Sequence, residues 1–284
     1  MYETKNPTRL GRQVIADLEQ SLTSSRRSGR VQVLGHRGAP APGRPENSVA
    51  AVTSALRQGA DGVEVDIWLT ADDALVCTHD ALVRTRAGAQ AAAAACTRGD
   101  LVDEDGRPLA TLDQLLAAVQ GPVARQVVVE AKPVDDPALA LRTAQVLADV
   151  LRTGTGNADV TVSSFDPALL AVIRRTCADL PVRTALLGGI ADAATAVVRR
   201  AAADGHDEVH LPLVAVRRTP QAVDMARWSG LSVSLWTVND RQDLCWAAEL
   251  GVDAVITDDV PAARGELDGI AIARPAGNLA VTAA

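Results

Sequence analysis

Three carboxylates lie in or at the ends of short apolar runs of this sequence, where one metal ion could bind them all. Glu64 and Asp66 are two residues apart in one run, and Glu130 follows the valines at 127–129. Residues two apart in a strand point to the same face, and strands buried in a parallel barrel are otherwise almost continuously apolar. Two carboxylates about 4 Å apart repel by roughly 4 kcal/mol at an effective dielectric constant near 20, so the cluster needs a proton or a cation. We expect these carboxylates to bind a hard divalent cation, Mg²⁺ or Ca²⁺. The alternative is that Glu64 or Asp66 pairs with an arginine of the barrel.

Two of the four histidines, His36 and His79, each close a short apolar run. Metal-assisted reactions of phosphate esters are one use for such a cation. Beside a phosphate that the metal ion holds, two histidines suit general acid–base chemistry near neutral pH. One would deprotonate the nucleophile, and the other would protonate the leaving alkoxide. Zinc ligation is the alternative function of these histidines, but three carboxylates without thiols favour a harder ion.

Lysine is rare in this chain, which makes Lys132 a candidate site residue. Lysine and arginine together number 28, and only Lys5 and Lys132 are lysines. Since Lys132 lies two residues after Glu130, we expect it to add a compact positive charge to the phosphate site. Arg37 follows His36 and can hold two phosphate oxygens at once.

Other residues near these runs are weaker candidates. Glu46 and Asn47 precede a predicted helix. We assign Glu46 to the site, whereas Asn47 either caps the helix or contacts the substrate. Trp236, near the end of a later apolar run, either walls the pocket, which we favour, or fills the top of the barrel, and Phe165 is a similar but weaker candidate. Four further residues have no chemical context and are interpreted as structural: Trp228, Trp246, His206 and His210.

Short apolar runs alternate with alanine- and leucine-rich amphipathic segments from residue 31 onward, which is typical of repeated βα units. Strands are predicted at 31–35, 62–69, 126–131, 159–164, 182–187, 208–212, 231–238 and 254–257. Helices are predicted between them, near 48–58, 111–119, 137–151, 167–176, 192–203, 220–228 and 241–250. The sequence therefore predicts an α/β protein, a (β/α)₈ TIM barrel, in which catalytic residues come from the carboxyl ends of the strands.

A further apolar run, at 75–79, is too close to the second strand to be its parallel neighbour, because parallel neighbours need a crossover of a dozen or more residues. We expect a hairpin that folds this run back along the second strand and puts His79 roughly opposite Asp66. The barrel then carries a small insertion after strand 2, at about 70–110. This insertion is either a flexible surface loop or a lid.

Composition and charge limit the remaining properties. The 284 residues are 48% hydrophobic and 22% charged, with a net charge of −7, which suits one sizeable core and gives no support for nucleic-acid binding. We divide the chain into an N-terminal extension at 1–30 with a helix near 8–22, a barrel domain at 31–265 and a C-terminal tail at 266–284. No apolar run has the length of a signal or membrane segment. We therefore expect a cytoplasmic monomer or homodimer without stable membrane insertion, with export by an unrecognised route as the alternative.

The candidate residues occur in an order that resembles the glycerophosphodiester phosphodiesterase family, one of the phosphatidylinositol-phospholipase-C-like barrel phosphodiesterases. The resemblance covers about 31–263, and its ordered series of motifs is highly specific. The motifs are His36-Arg37-Gly38, Pro45-Glu46-Asn47-Ser48, Gly59-Ala60-Asp61 with Glu64 and Asp66, His79-Asp80, Glu130-Ala131-Lys132, Ser163-Ser164-Phe165-Asp166, Trp236-Thr237-Val238-Asn239, and Gly251-Val252-Asp253 running to Ile256-Thr257-Asp258. The sequence departs from the family pattern at Ser48 and Val83, where the family tends to have threonine and aspartate.

The resemblance implies metal-dependent hydrolysis of glycerophosphodiesters to sn-glycerol 3-phosphate and an alcohol, either through a cyclic phosphate or by direct attack of water. It also implies a role for each candidate by position: Glu64, Asp66 and Glu130 bind the divalent metal, His36 and His79 are the acid–base pair, Arg37 and Lys132 hold the phosphate, Glu46 supports the site, and Trp236 lines the substrate pocket. The alternatives are the same chemistry on lysophospholipids or glycerol phosphate polymers, a non-catalytic phosphoester-binding barrel, and a transition-metal hydrolase of amide bonds.

Overall fold

The fold is that of a computed structural model, which describes residues 30–270 of the chain. The helix predicted near 8–22, and most of the predicted extension and tail, lie outside the described residues. The strands are β1 Gln32–Gly35, β2 Gly62–Leu69, β3 Leu75–Cys77, β4 Leu82–Arg84, β5 Gln90–Ala92, β6 Gln126–Ala131, β7 Asp159–Ser164, β8 Arg183–Leu187, β9 Glu208–Pro212, β10 Ser232–Trp236 and β11 Ala254–Thr257. The α-helices are α1 Val49–Arg57, α2 Leu112–Ala118, α3 Pro137–Gly154, α4 Pro167–Thr176, α5 Ala194–Asp204, α6 Leu213–Arg218, α7 Gln221–Trp228, α8 Arg241–Leu250 and α9 Val260–Leu267.

Eight of these strands close into a parallel barrel. β1 pairs with both β2 and β11, and the neighbours β2, β6, β7, β8, β9, β10 and β11 complete the ring. Each connection between consecutive barrel strands contains at least one helix, which returns the chain to the start of the next parallel strand. The predicted (β/α)₈ TIM barrel is confirmed.

The alternation of side chains along β2 separates the core from the site. Val63, Val65 and Ile67 are almost completely buried and belong to the main hydrophobic core, together with residues of the surrounding helices. Glu64 and Asp66 point to the other face, since successive side chains of a strand alternate. One face of the strand thus holds the helices, and the other presents carboxylates to the inside of the barrel.

Aspartates just before three of the barrel strands tie neighbouring strands together. Each follows a glycine by two residues, as in Gly59-Ala60-Asp61, and accepts a hydrogen bond from the backbone of an adjacent strand. These bonds run from Val33 N to Asp61, from Thr184 N to Asp207 and from Val233 N to Asp253, at 2.8–2.9 Å. The glycines have positive φ angles, a backbone conformation that is strained for other residues. These aspartates therefore stabilise the barrel and lie away from its mouth.

The run after β2 does fold back as a hairpin. β3 is antiparallel to β2, with Ile67 opposite Cys77. The ladder ends there, and its continuation would place Thr78 opposite Asp66, so the predicted register of His79 is off by one residue. The rest of the insertion contains the small sheet β4–β5 and its own apolar cluster, formed by Val76, Val83, Ala93 and Leu101.

Two helices go beyond the prediction. α6 has only six residues, too few to show a helical repeat in the sequence. α9 follows the last strand and begins with a cap, because the Asp259 side chain accepts a hydrogen bond from Ala262 N at 3.0 Å. This helix runs to Leu267, two residues past the predicted domain boundary.

Candidate active site

The carboxyl ends of the barrel strands surround a cavity of about 120 Å³. Its lining residues are His36, Arg37, Glu64, Asp66, His79, Glu130, Lys132, Ser163, Phe165, Leu187, His210, Trp236 and Ile256. The structure thus brings together all but one of the site residues that the sequence nominates. The exception, Glu46, lies just outside the cavity, where it binds Arg37.

Glu64, Asp66 and Glu130 form a buried acidic cluster on one side of this cavity. One carboxylate oxygen of each lies within 4.8 Å of the others, because Asp66 and Glu130 are direct neighbours in the β2–β6 ladder. Burial, reinforced by repulsion from the other two carboxylates, raises the pKa of Glu64 well above its ordinary value. Burial also raises the pKa of Glu130. Full negative charge on the cluster is therefore unfavourable, and a bound cation would relieve this repulsion.

Two basic side chains neutralise part of this charge. Lys132 Nζ lies 2.6 Å from an oxygen of Asp66 and 2.6 Å from an oxygen of Glu130. Burial opposes ionisation of Asp66, but the Lys132 ammonium outweighs it and holds the pKa of Asp66 below its usual range. Arg37 Nε is more distant, 3.6 Å from Asp66. Among residues 30–270, Glu64 forms no ion pair, and its buried Oε1 has no hydrogen-bond partner.

A left-handed turn after β1 brings Arg37 to the cluster. Arg37 and Gly38 have φ angles of 50° and 80°, and a Cβ atom on Gly38 would lie 2.8 Å from Val52 N. Only glycine fits there without displacing α1. The turn directs Arg37 N to Glu64 Oε2 at 3.0 Å and Arg37 Nη1 to Glu46 Oε2 at 2.9 Å. Glu46 thus orients the guanidinium at the edge of the cavity.

Each of the two mouth histidines is held by an aspartate. His36 Nδ1 lies 2.7 Å from Asp258, which also accepts a hydrogen bond from Asn239 at 2.7 Å. The hydrogen bond with His36 is the main cause that lowers the pKa of Asp258. His79 Nδ1 lies 2.8 Å from Asp80. When a carboxylate accepts a hydrogen bond from Nδ1–H, Nε2 is the ring atom left to exchange a proton with a ligand.

The match to known proteins now identifies the family. The model of the "Glycerophosphoryl diester phosphodiesterase family" matches residues 36–262. The chain belongs to this family. It is 36% identical over 256 residues to a probable glycerophosphodiester phosphodiesterase 1 of Mycobacterium tuberculosis, an alignment that covers 79% of this chain and 88% of that protein.

Solved structures of family members have the same fold. A putative glycerophosphoryl diester phosphodiesterase from Silicibacter pomeroyi is 26% identical and superposes with a TM-score of 0.70, over 84% of this chain and 94% of that one. A phosphodiesterase from Oleispira antarctica, solved in complex with the product sn-glycerol-3-phosphate, is 19% identical with a TM-score of 0.69, over 84% and 97%. At this identity, the second structure supports the fold alone.

Family membership confirms the resemblance inferred from the motifs. It also confirms that the protein is an enzyme and that it hydrolyses glycerophosphodiesters. In the described part of the chain, no helix has the length and apolar character needed to span a membrane.

Several residues near the site have functions that differ from the sequence interpretation. Asn47 is neither a helix cap nor a residue of the cavity wall, because Ser48 caps α1 with a hydrogen bond from Ala51 N. Instead, the buried Asn47 amide donates to Asp66 Oδ2 at 2.8 Å and accepts from Asp66 N at 2.9 Å. Its φ of 54° sets this geometry. Asp258 is in the quoted motifs but is not nominated for the site, since it lies 222 residues from His36.

The aromatic residues divide between the cavity and the surface. Trp236 and Phe165 both line the cavity and meet edge to face, with ring centroids 5.8 Å apart. Trp246 packs under Arg217 on the helical layer, and Trp228 is 87% exposed. His206 lies outside the cavity and hydrogen-bonds Thr184. His210 differs from the prediction, because it lines the cavity.

Proposed function

We propose that a divalent cation, Mg²⁺ or Ca²⁺, held by Glu64, Asp66 and Glu130, assists the hydrolysis of a glycerophosphodiester to sn-glycerol 3-phosphate and an alcohol. The observation that carries this proposal is the buried carboxylate cluster beside two histidines, each bound to an aspartate. The product is also the ligand named for the Oleispira antarctica phosphodiesterase.

The charges of the cluster support a cation. Lys132 and Arg37 lie near Asp66, and Lys132 also neutralises Glu130. Glu64 has neither an ion pair within the described residues nor a partner for Oε1, so it offers a free ligand atom. Oxygen ligands of this kind suit hard cations. The bound cation would polarise the phosphoryl oxygens and offset the charge that develops on them.

His36 and His79 supply the acid and the base. With Nδ1 held by Asp258 and by Asp80, respectively, each ring can exchange a proton at Nε2. One histidine takes a proton from the nucleophile, which is the 2-hydroxyl of glycerol or a water molecule. The other gives a proton to the oxygen of the leaving alcohol. If the 2-hydroxyl attacks, this step leaves a cyclic phosphate, and a water molecule then breaks its bond to the 2-oxygen, with the two histidines in exchanged roles, to give sn-glycerol 3-phosphate. The aspartates hold the rings in position and stabilise the imidazolium form.

The remaining candidates position the substrate. Arg37, oriented by Glu46, reaches the phosphate with its guanidinium. Lys132, fixed between Asp66 and Glu130, adds positive charge beside it. Trp236 walls the cavity with an apolar face.

The test is release of sn-glycerol 3-phosphate from a panel of glycerophosphodiesters with Mg²⁺, Ca²⁺ or EDTA. We expect cation-dependent turnover that is lost in EDTA and falls by about 10²- to 10⁴-fold in His36→Ala and His79→Ala. His206→Ala is the matched control, since this histidine lies outside the cavity, and thermal melting reports whether each variant folds. Turnover that persists in EDTA, or in both active-site variants, would contradict the proposed mechanism.

Lysophospholipids are a second candidate substrate class. Phe165 and Ile190 follow β7 and β8 at the mouth and are 37% and 60% exposed, so one rim of the cavity could contact an acyl chain. The insertion contributes Leu82, which is 62% exposed. The panel therefore includes a lysophospholipid and a glycerol phosphate polymer, and failure of every substrate would favour a phosphoester-binding barrel.

The other sequence inferences stay predictions. These are the division into extension, barrel domain and tail, location in the cytoplasm, the absence of a nucleic-acid partner, and the monomeric or homodimeric state.

A further inference from the structure

Three polar atoms in the cavity wall have no partner within the described residues and no part in the proposed mechanism. They are Ser163 Oγ, His210 Nδ1 and Trp236 Nε1. The side chains of Ser163 and His210 are almost completely buried, with relative exposures of 1% and 0%. Buried polar groups in native proteins are nearly always hydrogen-bonded. Atoms of this kind in the wall of a ligand cavity therefore indicate contacts that a ligand completes.

A carboxylate below His210 fixes what this side chain can offer. Glu208, two residues earlier in β9, lies 3.1 Å from His210 Nε2. Glu208 also pairs with Arg183 at 2.9 Å and accepts from Thr161 Oγ1 at 3.0 Å. An ionised carboxylate only accepts hydrogen bonds, so Nε2 carries the proton of the neutral ring. Nδ1, on the other side of the ring, is then a lone-pair acceptor.

Ser163 and Trp236 complement this acceptor. A serine hydroxyl both donates and accepts, and an indole N–H only donates. Ser163 is the ladder neighbour of Glu130, so it lies next to the acidic cluster. With a neutral ring at His210, the wall thus combines an acceptor, a donor and a group that can do both. A neutral hydroxyl is the ligand group that such a set matches best.

We propose that His210 and Ser163 bind the terminal hydroxyl of the glycerol half of the substrate and select for it. This inference rests on the proposed function. A glycerol 3-phosphoryl group has two free hydroxyls. The secondary one is nearer the phosphorus, on the side of the acid–base histidines and of the carboxylates that would hold the cation. The terminal hydroxyl extends further and reaches the wall formed by β7, β9 and β10.

The leaving alcohol then lies away from the buried wall that binds the terminal hydroxyl. A groove of about 460 Å³ runs beside the mouth between the loop after β1 and the insertion. Its lining includes Glu46 and Asp80, which bind Arg37 and His79, respectively. This open groove has room for alcohols of different size, whereas the buried wall near His210 suits one small constant group.

The test compares two diesters with the same alcohol, the one that the panel prefers. One contains sn-glycerol 3-phosphate, and the other contains propane-1,2-diol 1-phosphate, which lacks only the terminal hydroxyl. We expect the wild type to prefer the first by about 5- to 150-fold in kcat/KM, because the analogue leaves buried polar atoms unpaired. Ser163→Ala and His210→Phe should each reduce this ratio at least several-fold. Ser234→Ala is the control, a serine in β10 opposite His210 that does not line the cavity, and it should keep the ratio.

Binding of the two free phosphates, measured by titration calorimetry with Mg²⁺ present, gives a second readout that does not require turnover. A purely structural role of His210 would change stability, or lower both activities equally, without changing the substrate ratio. A ratio near one in the wild type, or an unchanged ratio in both variants, would overturn the inference. The wild type could turn over neither diester and still bind sn-glycerol 3-phosphate selectively, with this selectivity lost in the variants. That result would support binding of the terminal hydroxyl by His210 and Ser163 and would reject the catalytic proposal. Equal binding of both phosphates would reject the binding of the terminal hydroxyl by these residues.

Discussion

Replacing Glu64 by glutamine tests whether the acidic cluster is built for a cation. Glu64 is 5% exposed and shares a 4.8 Å cluster with Asp66 and Glu130. Glutamine keeps the shape and removes the charge. Without a cation, this change should stabilise the fold at neutral pH, whereas with a cation it should remove a ligand and weaken binding.

The size of the effect follows from the cluster. At 4.8 Å and an effective dielectric constant near 20, each carboxylate pair repels by about 3.5 kcal/mol. Glu64 faces two such partners, and Lys132 offsets part of the sum. Glu64 can avoid this repulsion by keeping its proton, which costs at most about 1.4 kcal/mol for each pH unit above its ordinary pKa. At pH 7, roughly three units above the ordinary glutamate pKa, Glu64→Gln should therefore stabilise the cation-free protein by up to about 4 kcal/mol.

The direction of the pH dependence is set by the raised pKa of Glu64. A folded state that holds a proton more tightly than the unfolded state loses stability as the pH rises from the unfolded pKa to the folded one. Glu130, whose pKa is also raised, acts in the same direction. In EDTA, the free energy of unfolding should therefore fall as the pH rises above the ordinary titration range of a glutamate. Saturating Mg²⁺ or Ca²⁺ should abolish much of this fall, since the cation keeps the carboxylates ionised.

The assay is urea unfolding followed by tryptophan fluorescence, at several pH values, in EDTA and with each cation. Glu249→Gln is the matched control, because Glu249 is exposed on α8 far from charge clusters of the cavity. Loss of stability with the same pH slope in Glu64→Gln and the wild type in EDTA would contradict a raised pKa at Glu64. Failure of both cations to stabilise the wild type would contradict a cation site, since saturation at 100 times Kd adds about 2.7 kcal/mol.

Two further substitutions test the residues that orient the site. Asp258→Asn removes the negative charge that holds His36 Nδ1, so kcat should fall about 10- to 100-fold, and melting should change little. An unchanged kcat would contradict the assigned contact. Asn47→Ala leaves Asp66 without two hydrogen bonds and should cost about 1–3 kcal/mol of stability and weaken Mg²⁺ binding in calorimetry. Retention of wild-type metal affinity would reject a positioning role for this amide.

The sequence predicts the elements of the barrel better than the contacts between side chains. Strands such as β6 are recognisable because a continuous apolar run is needed where both faces are covered. The same rule makes Glu64 and Asp66 conspicuous, since a charge in such a run must serve a purpose. Lys132 is different: its long flexible side chain could reach a phosphate or a carboxylate, and only the structure shows it between Asp66 and Glu130.

Contacts between distant segments were the least predictable part of the site. Asp258 contacts His36 because β1 and β11 are neighbours in the closed barrel. No local sequence pattern predicts that these two strands pair. Asn47 precedes a helix, where an amide has an ordinary capping function. His210 lacks a motif of its own, and its position becomes informative only when Glu208 is known to hold its other ring nitrogen.

The two sides of the mouth have different chemistry because they come from different strands. β1, β2 and β6 contribute the charged groups, whose positions are constrained by one another through Arg37, Lys132 and Asp66. β7, β9 and β10 contribute the neutral groups of the wall, Ser163, His210 and Trp236, which are not hydrogen-bonded to the carboxylates of the acidic cluster within the described residues. A substitution on the second side can therefore change which ligand fits without disturbing the charges that do the chemistry. Substitutions on β7 to β10 should change substrate preference while the cation affinity stays nearly constant. If such substitutions changed both substrate preference and cation affinity, the two sides of the mouth would not be independent.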